Sequence, residues 1–575
     1  MKKIKLLIVS TLLIISSSIA DNNRTEIQKD GNNTSTSNLL LNKLQKDLKK
    51  NLKKRSSLLK DINHKRFLKK FYRDNNYSAV WFNQIGLTKR YQELFDAIEN
   101  DITLKRDGKL YRKYKTIQGY IKSKERDNLH TELYLSSLYI DFLKHLIYGS
   151  INWKSFQFRL KKLRKRGINA HWITYKPDYN ISKLIPQDIN KTINEVTPKR
   201  FGYKRLLKSL KILQNLKAKG GWKKLPHFKK LKLGDKGQIV IKLRERLIAS
   251  NDLNSCDNQT ESSLFEIEES LDKDIKIQPE ATFDKCLENA VKKFQARHGL
   301  KADGIVGSST RKALNISIDD KIDKILLNID RIKWLPRTND KRYIIVNIPE
   351  FMLHFIESGK EVEKFPVIVG KKRHNTPVFK DTISYIVLNP YWKVPDGIVK
   401  KEIIPKMVRN PNYLRREGLE IHTSWYEHSP RINPYSLYWE DYYYGYSKFP
   451  YKIMQPPGPK NALGKIKFKF PNRFNVYLHD TPTKRLFKRE TRAFSHGCIR
   501  VSKPIELFEH IAKINGIDIN KTRKILKSKR KVQFNIEKKI PVYIVYLTAG
   551  YNDTDNVIEF RDDIYGYDKL QKRME

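Results

Sequence analysis

Two short segments hold residues that can do covalent chemistry: YLHDTP at 477–482 and FSHGCIRV at 494–501. They contain His479 and, 19 positions later, Cys498. A thiol attacks an acyl carbon as its thiolate, and a free cysteine is mostly protonated near neutrality. A nearby imidazole takes that proton and later returns it to a leaving amine. Gly497 lets the chain bend with no side chain in the way. A turn built from Ser495, His496, Gly497 and Cys498 can aim backbone N–H groups at a developing oxyanion, a contribution often worth ~3 kcal/mol. Arg500 and Arg492 supply positive charge that favours a thiolate and attracts a carboxylate substrate. Each residue alone has a plainer reading. A cysteine is usually a small buried hydrophobe, a histidine a satisfied polar group, and Arg500 an ion-pair partner of the next helix. His496 competes with His479 for the role of base. Together in one SHGCIRV run, they point to a cysteine nucleophile with a histidine partner.

These groups need a frame. From residue 341 the sequence reads as strands: RYIIVNIP, FMLHFIE, KFPVIVG and TISYIVLNP are short apolar or alternating runs divided by Gly, Pro and Asn. KIKFKF and NVYLHD continue them, so His479 follows a strand and Cys498 sits on a glycine turn before a helix. That helix is expected from about Lys503 to Ile514, with Ser502 as its cap and Gly516 as its stop. PVYIVYLTA supplies a last strand. Residues 396–450 interrupt the rhythm with a helix expected over Val399 to Val408 and the tract YSLYWEDYYYGYSKFPY. An insertion of this length reads as a lid or substrate cradle; plain packing of the insertion is the simpler account of its aromatics.

The remaining chain bounds the setting. A length of 575 residues exceeds one core, so two to four domains are expected. Lys2, Lys3 and Lys5, the apolar run Leu6 to Ile15 and Ser18-Ile19-Ala20 read as a signal peptide over 1–20. The run is too short for a membrane span, so no transmembrane anchor is expected after cleavage; an uncleaved anchor is the competing reading. Residues 21–40 read as a flexible leader and 41–228 as a helical domain. Residues 229–316 form a compact unit with an acidic insertion at 254–280. Its helix face carries Leu287, Ala290, Val291 and Phe294, and Gly299, Gly304 and Gly307 mark turns. Residues 341–550 form the strand domain and 551–575 a C-terminal tail. Of three cysteines, Cys256 and Cys286 can bridge each other, which leaves Cys498 as a free thiol in an exported protein. The formal charge of +53 is spread along the chain rather than gathered on a nucleic-acid-binding motif, so no nucleic-acid partner is expected. It suits loose association with anionic envelope polymers and head groups.

The His479…Ser495-His496-Gly497-Cys498-Ile499-Arg500-Val501 pattern resembles the signature of the YkuD-type L,D-transpeptidases. Gly234-Asp235, Gly237, Leu243, Leu247, Phe283, Ala290-Val291, Phe294-Gln295, Gly299-Leu300, Asp303-Gly304, Gly307, Thr310 and Ala313-Leu314-Asn315 resemble the small three-helix peptidoglycan-binding domain of wall enzymes. The layout, including PGPKNALGKIKF at 457–468, resembles the large periplasmic YcbB-type enzymes. The resemblance implies a multidomain α+β protein: a helical N-terminal scaffold, the binding domain, and a β-rich catalytic domain with an inserted lid. It also implies roles: Cys498 as nucleophile, His479 as base, and the amides of His496, Gly497 and Cys498 as oxyanion hole. Arg500, Ser495 and Asp480 are the implied substrate-binding residues. Asp480 departs from the Gly or Ser that many members carry there. The implied reaction releases D-Ala from a tetrapeptide stem through a thioester and forms a 3→3 cross-link, with carbapenems acylating Cys498. Stem peptides and wall glycan are the implied partners, the periplasm the location, and no metal or organic cofactor is needed. An L,D-carboxypeptidase uses the same thioester. A metallopeptidase lacks its His-Glu-x-x-His pattern here, and a non-catalytic wall-binding protein would not need the His479–Cys498 pair.

Overall fold

The computed structural model describes residues 33–53, 62–253, 281–552 and 557–571. The expected signal peptide, most of the leader, the 254–280 insertion and Cys256 lie outside them. Cys286 is disulfide-bonded and Cys498 is a free thiol.

The chain forms two compact units, residues 1–91 with 123–137 and residues 92–122 with 138–575. In the first, helices Asn33–Lys53 and Lys65–Asp74 precede a short hairpin of Phe82–Asn83 and Gly86–Leu87. Its buried centre is Glu132, which accepts from the Tyr72 hydroxyl at 2.7 Å and from the Val80 and Trp81 amides at 2.7 and 3.1 Å. Burial pushes this carboxyl up to about 7.

In the second unit, helices Trp153–Lys165 and Tyr203–Ala218 lead into the three-helix domain. Its helices are Gln238–Ile248, Lys285–Arg297 and Ser308–Leu314. Leu243, Leu247, Phe283, Leu287, Val291, Phe294 and Leu314 fill its core. Asp284 caps the middle helix by accepting the Leu287 amide at 2.8 Å. Buried Gln295 bridges to the Ile305 carbonyl and the Gly304 amide, both at 2.9 Å, and so ties the helix to the turn at Gly304, where φ is +75°.

The sequence reading assigned nothing to 317–340. The structure places there the helix Ile318–Lys333, almost entirely buried. Arg331 reaches Gln571, Tyr546 and Asp568, and Lys333 donates to the His145 carbonyl at 3.0 Å. Its charged residues mimic a solvated linker in sequence; here Asp319, Asp320 and Asp323 are exposed, while Arg331 and Lys333 are paired inside.

The strand domain is one nine-stranded sheet. Its strands are β1 (Arg342–Asn347), β2 (Met352–Glu357), β3 (Lys360–Gly370), β4 (Phe379–Leu388), β5 (Ile466–Lys469), β6 (Leu478–His479), β7 (Ala493–Ser495), β8 (Ile499–Val501) and β9 (Val532–Val545). The order is β7-β3-β8-β6-β5-β4-β9-β1-β2, and β2 also pairs with β3, so the sheet closes on itself. Leu478, Ile499, Phe468 and Val501 point into the core, where Leu507, Phe508 and Ile511 of helix Pro504–Ile514 cover them. The helix matches the expected span, but its cap does not. The N-cap position is Lys503, it makes no side-chain cap bond, and the Ser502 hydroxyl is buried without a partner.

Residues 557–571, read as tail, belong to this core. Val557–Phe560 pairs with Ala549–Asn552, and Tyr565 and Tyr567 are buried. The reason is the aromatic stacking of Tyr546, Tyr565 and Tyr567, which a polar, charge-rich stretch does not advertise.

The insertion is a small body with its own sheet of Trp392–Lys393, Glu420–His422, Arg431–Ile432 and Lys452–Gln455. It therefore reaches beyond 396–450 at both ends. The helix expected over Val399 to Val408 holds a π-helical turn at Val399–Ile403 before Ile404–Arg409. Pro405 has no N–H to give to Lys401, which accounts for the break. The aromatic tract divides. Trp439 stacks on Phe449 at 5.5 Å, while Tyr438 and Tyr446 are 80% and 81% exposed.

Candidate active site

Side chains alternate along a strand. Because Leu478 and Ile499 face the core, Tyr477, His479, Cys498 and Arg500 share the opposite face. Parallel pairing sets His479 beside Arg500, and antiparallel pairing sets it beside Lys467. A row of Lys467, His479 and Arg500 thus crosses three strands, next to a row of Lys469, Tyr477 and Cys498.

The His479 ring is 4% exposed. Its Nδ1 lies 2.5 Å from the Asp480 carbonyl. A carbonyl only accepts, so Nδ1 carries the proton and Nε2 keeps its lone pair. Burial, then the Arg500 guanidinium, then Lys467 outweigh that bond and press the imidazole down to about 3. It is therefore neutral near pH 7, the form a base needs. The Asp480 carboxylate turns the other way. It accepts from the Lys465 amide at 2.9 Å, the Thr481 amide at 2.7 Å and Lys484 Nζ at 2.6 Å. Gly464 makes room for it, since a Cβ there would sit 2.3 Å from Asp480 Oδ2.

The Cys498 thiol is half-buried and lies 3.7 Å from the Asn475 carbonyl. Burial raises its pKa; the Tyr477 amide, Lys467 and the Tyr477 hydroxyl pull it back only in part. The resting pair is thus thiol and neutral imidazole, not thiolate and imidazolium. Among the described residues no hydrogen bond joins Cys498 to His479.

The turn before the thiol is tightly tied. Ser495 Oγ donates to the Cys498 carbonyl at 2.5 Å and accepts the Gly497 amide at 3.1 Å. The Gly497 N–H is therefore occupied, while that of Cys498 has no acceptor among the described residues. At φ +117°, Gly497 holds a conformation other residues avoid. Its carbonyl accepts from Thr376 Oγ1 at 2.9 Å, and Tyr565 accepts the Thr376 amide at 3.1 Å. His496 turns away from the thiol. Its Nε2 is 2.5 Å from Glu402 of the insertion and 3.3 Å from Lys371 Nζ, and its ring lies 4.8 Å from that of His374.

The two arginines differ. Arg492 is bound to the carbonyls of Val367, Arg489 and Phe351. The Arg500 side chain makes no hydrogen bond among the described residues, and its Nε is buried and unpaired. Tyr477, Lys467 and Lys469 were not singled out in the sequence; the alternation YLH and KIKFKF placed them on this face, but the pairing of the strands was needed to see it. Lys467 also lies over the Tyr477 ring at 4.3 Å. Among the described residues no group of three or more His, Cys, Asp or Glu side chains is set to hold a metal ion, and no helix is long and apolar enough to cross a membrane.

Three parts of the chain match known protein families. Residues 66–210 match the family described as "Scaffold domain", and residues 270–314 match "Putative peptidoglycan binding domain". A "Putative L,D-transpeptidase" of Haemophilus influenzae is 34% identical over 260 residues, 45% of this chain and 50% of that protein. The chain thus spans about half the length of this curated relative. A solved L,D-transpeptidase fragment from Xylanimonas cellulosilytica is 14% identical, covering 56% of this chain and 99% of its own, with a TM-score of 0.15. One from Stackebrandtia nassauensis is 15% identical, covering 56% and 96%, with a TM-score of 0.20. At these scores neither superposition carries an argument. Residues 341–543, the strand domain that holds Cys498 and His479, match the YkuD family, described as "L,D-transpeptidase catalytic domain".

Proposed function

We propose that this protein is an exported peptidoglycan L,D-transpeptidase that works through a Cys498 thioester in the periplasm. The observation that carries the reading is the shared face of Cys498, a neutral His479 with a free Nε2, and an unpaired Arg500. Rotation of the thiol from the Asn475 carbonyl toward Nε2 lets His479 take its proton as sulfur attacks the carbonyl before D-Ala of a tetrapeptide stem. The Cys498 amide and the Tyr477 hydroxyl stand ready for the developing negative charge. His479 then protonates the leaving D-Ala amine. The side-chain amine of a second stem attacks the thioester, gives its proton to His479, and leaves a 3→3 cross-link. The proton returns to the Cys498 sulfur. Arg500 attracts a stem carboxylate, and the three-helix domain holds the wall. Carbapenems acylate the same sulfur.

The test is mass analysis of products from purified disaccharide-tetrapeptide, with Cys498→Ala as control. A dimer lacking one D-Ala, absent with the variant, is expected. Tripeptide monomer alone would replace the reading with an L,D-carboxypeptidase. A surviving acyl-enzyme mass in Cys498→Ala would refute the nucleophile.

A further inference from the structure

A cavity of about 710 Å³ opens at the base of the insertion, beyond the ends of β6 and β8. Cys498 and His479 do not line it. Asn389, just before the insertion, and Gly458 to Lys465, just after it, form one side; the start of helix Pro504–Ile514 and the end of helix Ile519–Lys527 form the other.

Its chemistry is one-sided. Lys465, Lys484, Lys503, Lys527 and Lys529 line it, against Asp480 and Glu506. Both carboxylates are already engaged, Asp480 by Lys484 at 2.6 Å and Glu506 by Lys503 at 3.0 Å. The ammonium groups of Lys465, Lys527 and Lys529 have no partner among the described residues. Helix Pro504–Ile514 points its uncapped start at the cavity, so the Ile505 and Glu506 amides remain unpaired there. The Ser502 hydroxyl on the same wall is buried and unbonded. A helix start, a hydroxyl donor and three free ammonium groups in a walled space ask for a compact anion with several acceptor oxygens. Lysines rather than arginine forks suit a tetrahedral phosphate, which accepts from any direction, better than a flat carboxylate.

We propose that this cavity is a binding site for a phosphate group, separate from the thiol site. The phosphate is free or belongs to a lipid head group. The site does not depend on the activity proposed above.

The full chain is titrated with inorganic phosphate by calorimetry, and separately with vesicles of phosphatidylglycerol in phosphatidylcholine. The comparison variants are the Lys527→Gln/Lys529→Gln pair, Ser502→Ala, and Lys217→Gln outside the cavity. Melting curves check that each is folded. Saturable phosphate binding, weakened about tenfold or more by the pair and by Ser502→Ala but not by Lys217→Gln, is expected. Phosphate binding with no vesicle binding names free phosphate as the source. Vesicle binding that phosphate displaces and the pair abolishes names a head group. No binding of either probe, or binding that the pair leaves unchanged, overturns the site.

Discussion

His479, which is buried, and His354, which is half-buried, stand on strands of one sheet, and they end in opposite states. His479 on β6 is flanked by Arg500 and Lys467 and is held down to about 3. His354 on β2 lies between Glu350, 3.1 Å away, and Glu361, and is lifted to about 10. Burial opposes the proton at both, so it is the sign of the neighbouring charges that decides. One region keeps an imidazole neutral with a free lone pair. The other keeps it charged and bonded at both nitrogens, with nothing left for chemistry. A histidine's place on a strand therefore says little until the charges around its ring are known.

The largest effect is expected from removing the neutral ring. His479→Gln keeps the size and a hydrogen bond to Asp480 but supplies no base, and turnover should fall roughly 10²- to 10⁴-fold. His496→Gln should cost far less, since His496 faces Glu402 rather than the thiol. Equal losses in a product assay would move the base role to His496. The same variant tests stability. Folded His479 stays neutral down to about 3, whereas the unfolded ring takes a proton below about 6.5. Wild-type stability should drop as pH falls through that window, and His479→Gln should lack that part of the slope.

A smaller effect sharpens the comparison itself. Arg500→Gln removes the largest charge acting on His479, so the imidazole should titrate higher, between about 3 and its ordinary range. Nitrogen-15 NMR of the ring reads this directly. An unmoved titration would assign the depression to burial alone. Because Arg500 is unpaired, the same substitution should raise KM more than it lowers kcat if the guanidinium meets a carboxylate.

Much of this site was legible beforehand. Gly497 and Cys498 stand in one recognisable run, and the strand-like run before His479 put it at a strand end 19 positions earlier. What alternation cannot give is which strands are neighbours. Lys467 and Arg500 are 33 positions apart in sequence yet flank one ring. The engaged Gly497 amide was equally hidden, since it depends on the rotamer of Ser495. In the fold, the helical scaffold and the strand domain were readable from periodicity, and the three-helix domain from its family resemblance. The helix Ile318–Lys333 was not, because its charges are paired with segments as remote as His145 and Asp568. The turn before the thiol likewise rests on Thr376, whose amide the Tyr565 hydroxyl accepts.

The smallest effect should come from the other histidine. His354 titrates near 10 when folded and near 6.5 when unfolded, so its contribution is full below about 6.5 and fades as pH rises through about 10. Its partner Glu350 is depressed to about 2, so that half persists above its unfolded value and is lost only as pH falls through about 2. Replacing His354 with Gln leaves Glu350 facing Arg561 at 4.0 Å, a longer and weaker partner. The cost should be about 2 kcal/mol at pH 6, below the full linkage value because the ring and Glu361 retain some solvent contact. It should shrink toward zero as pH rises through about 10, where wild-type His354 itself loses its proton. Hydrogen exchange of the β1 and β2 amides at the two pH values measures this without requiring the whole chain to unfold at once. A wild-type-to-variant difference that does not change with pH would mean His354 acts by packing, and that only His479 owes its state to its neighbours.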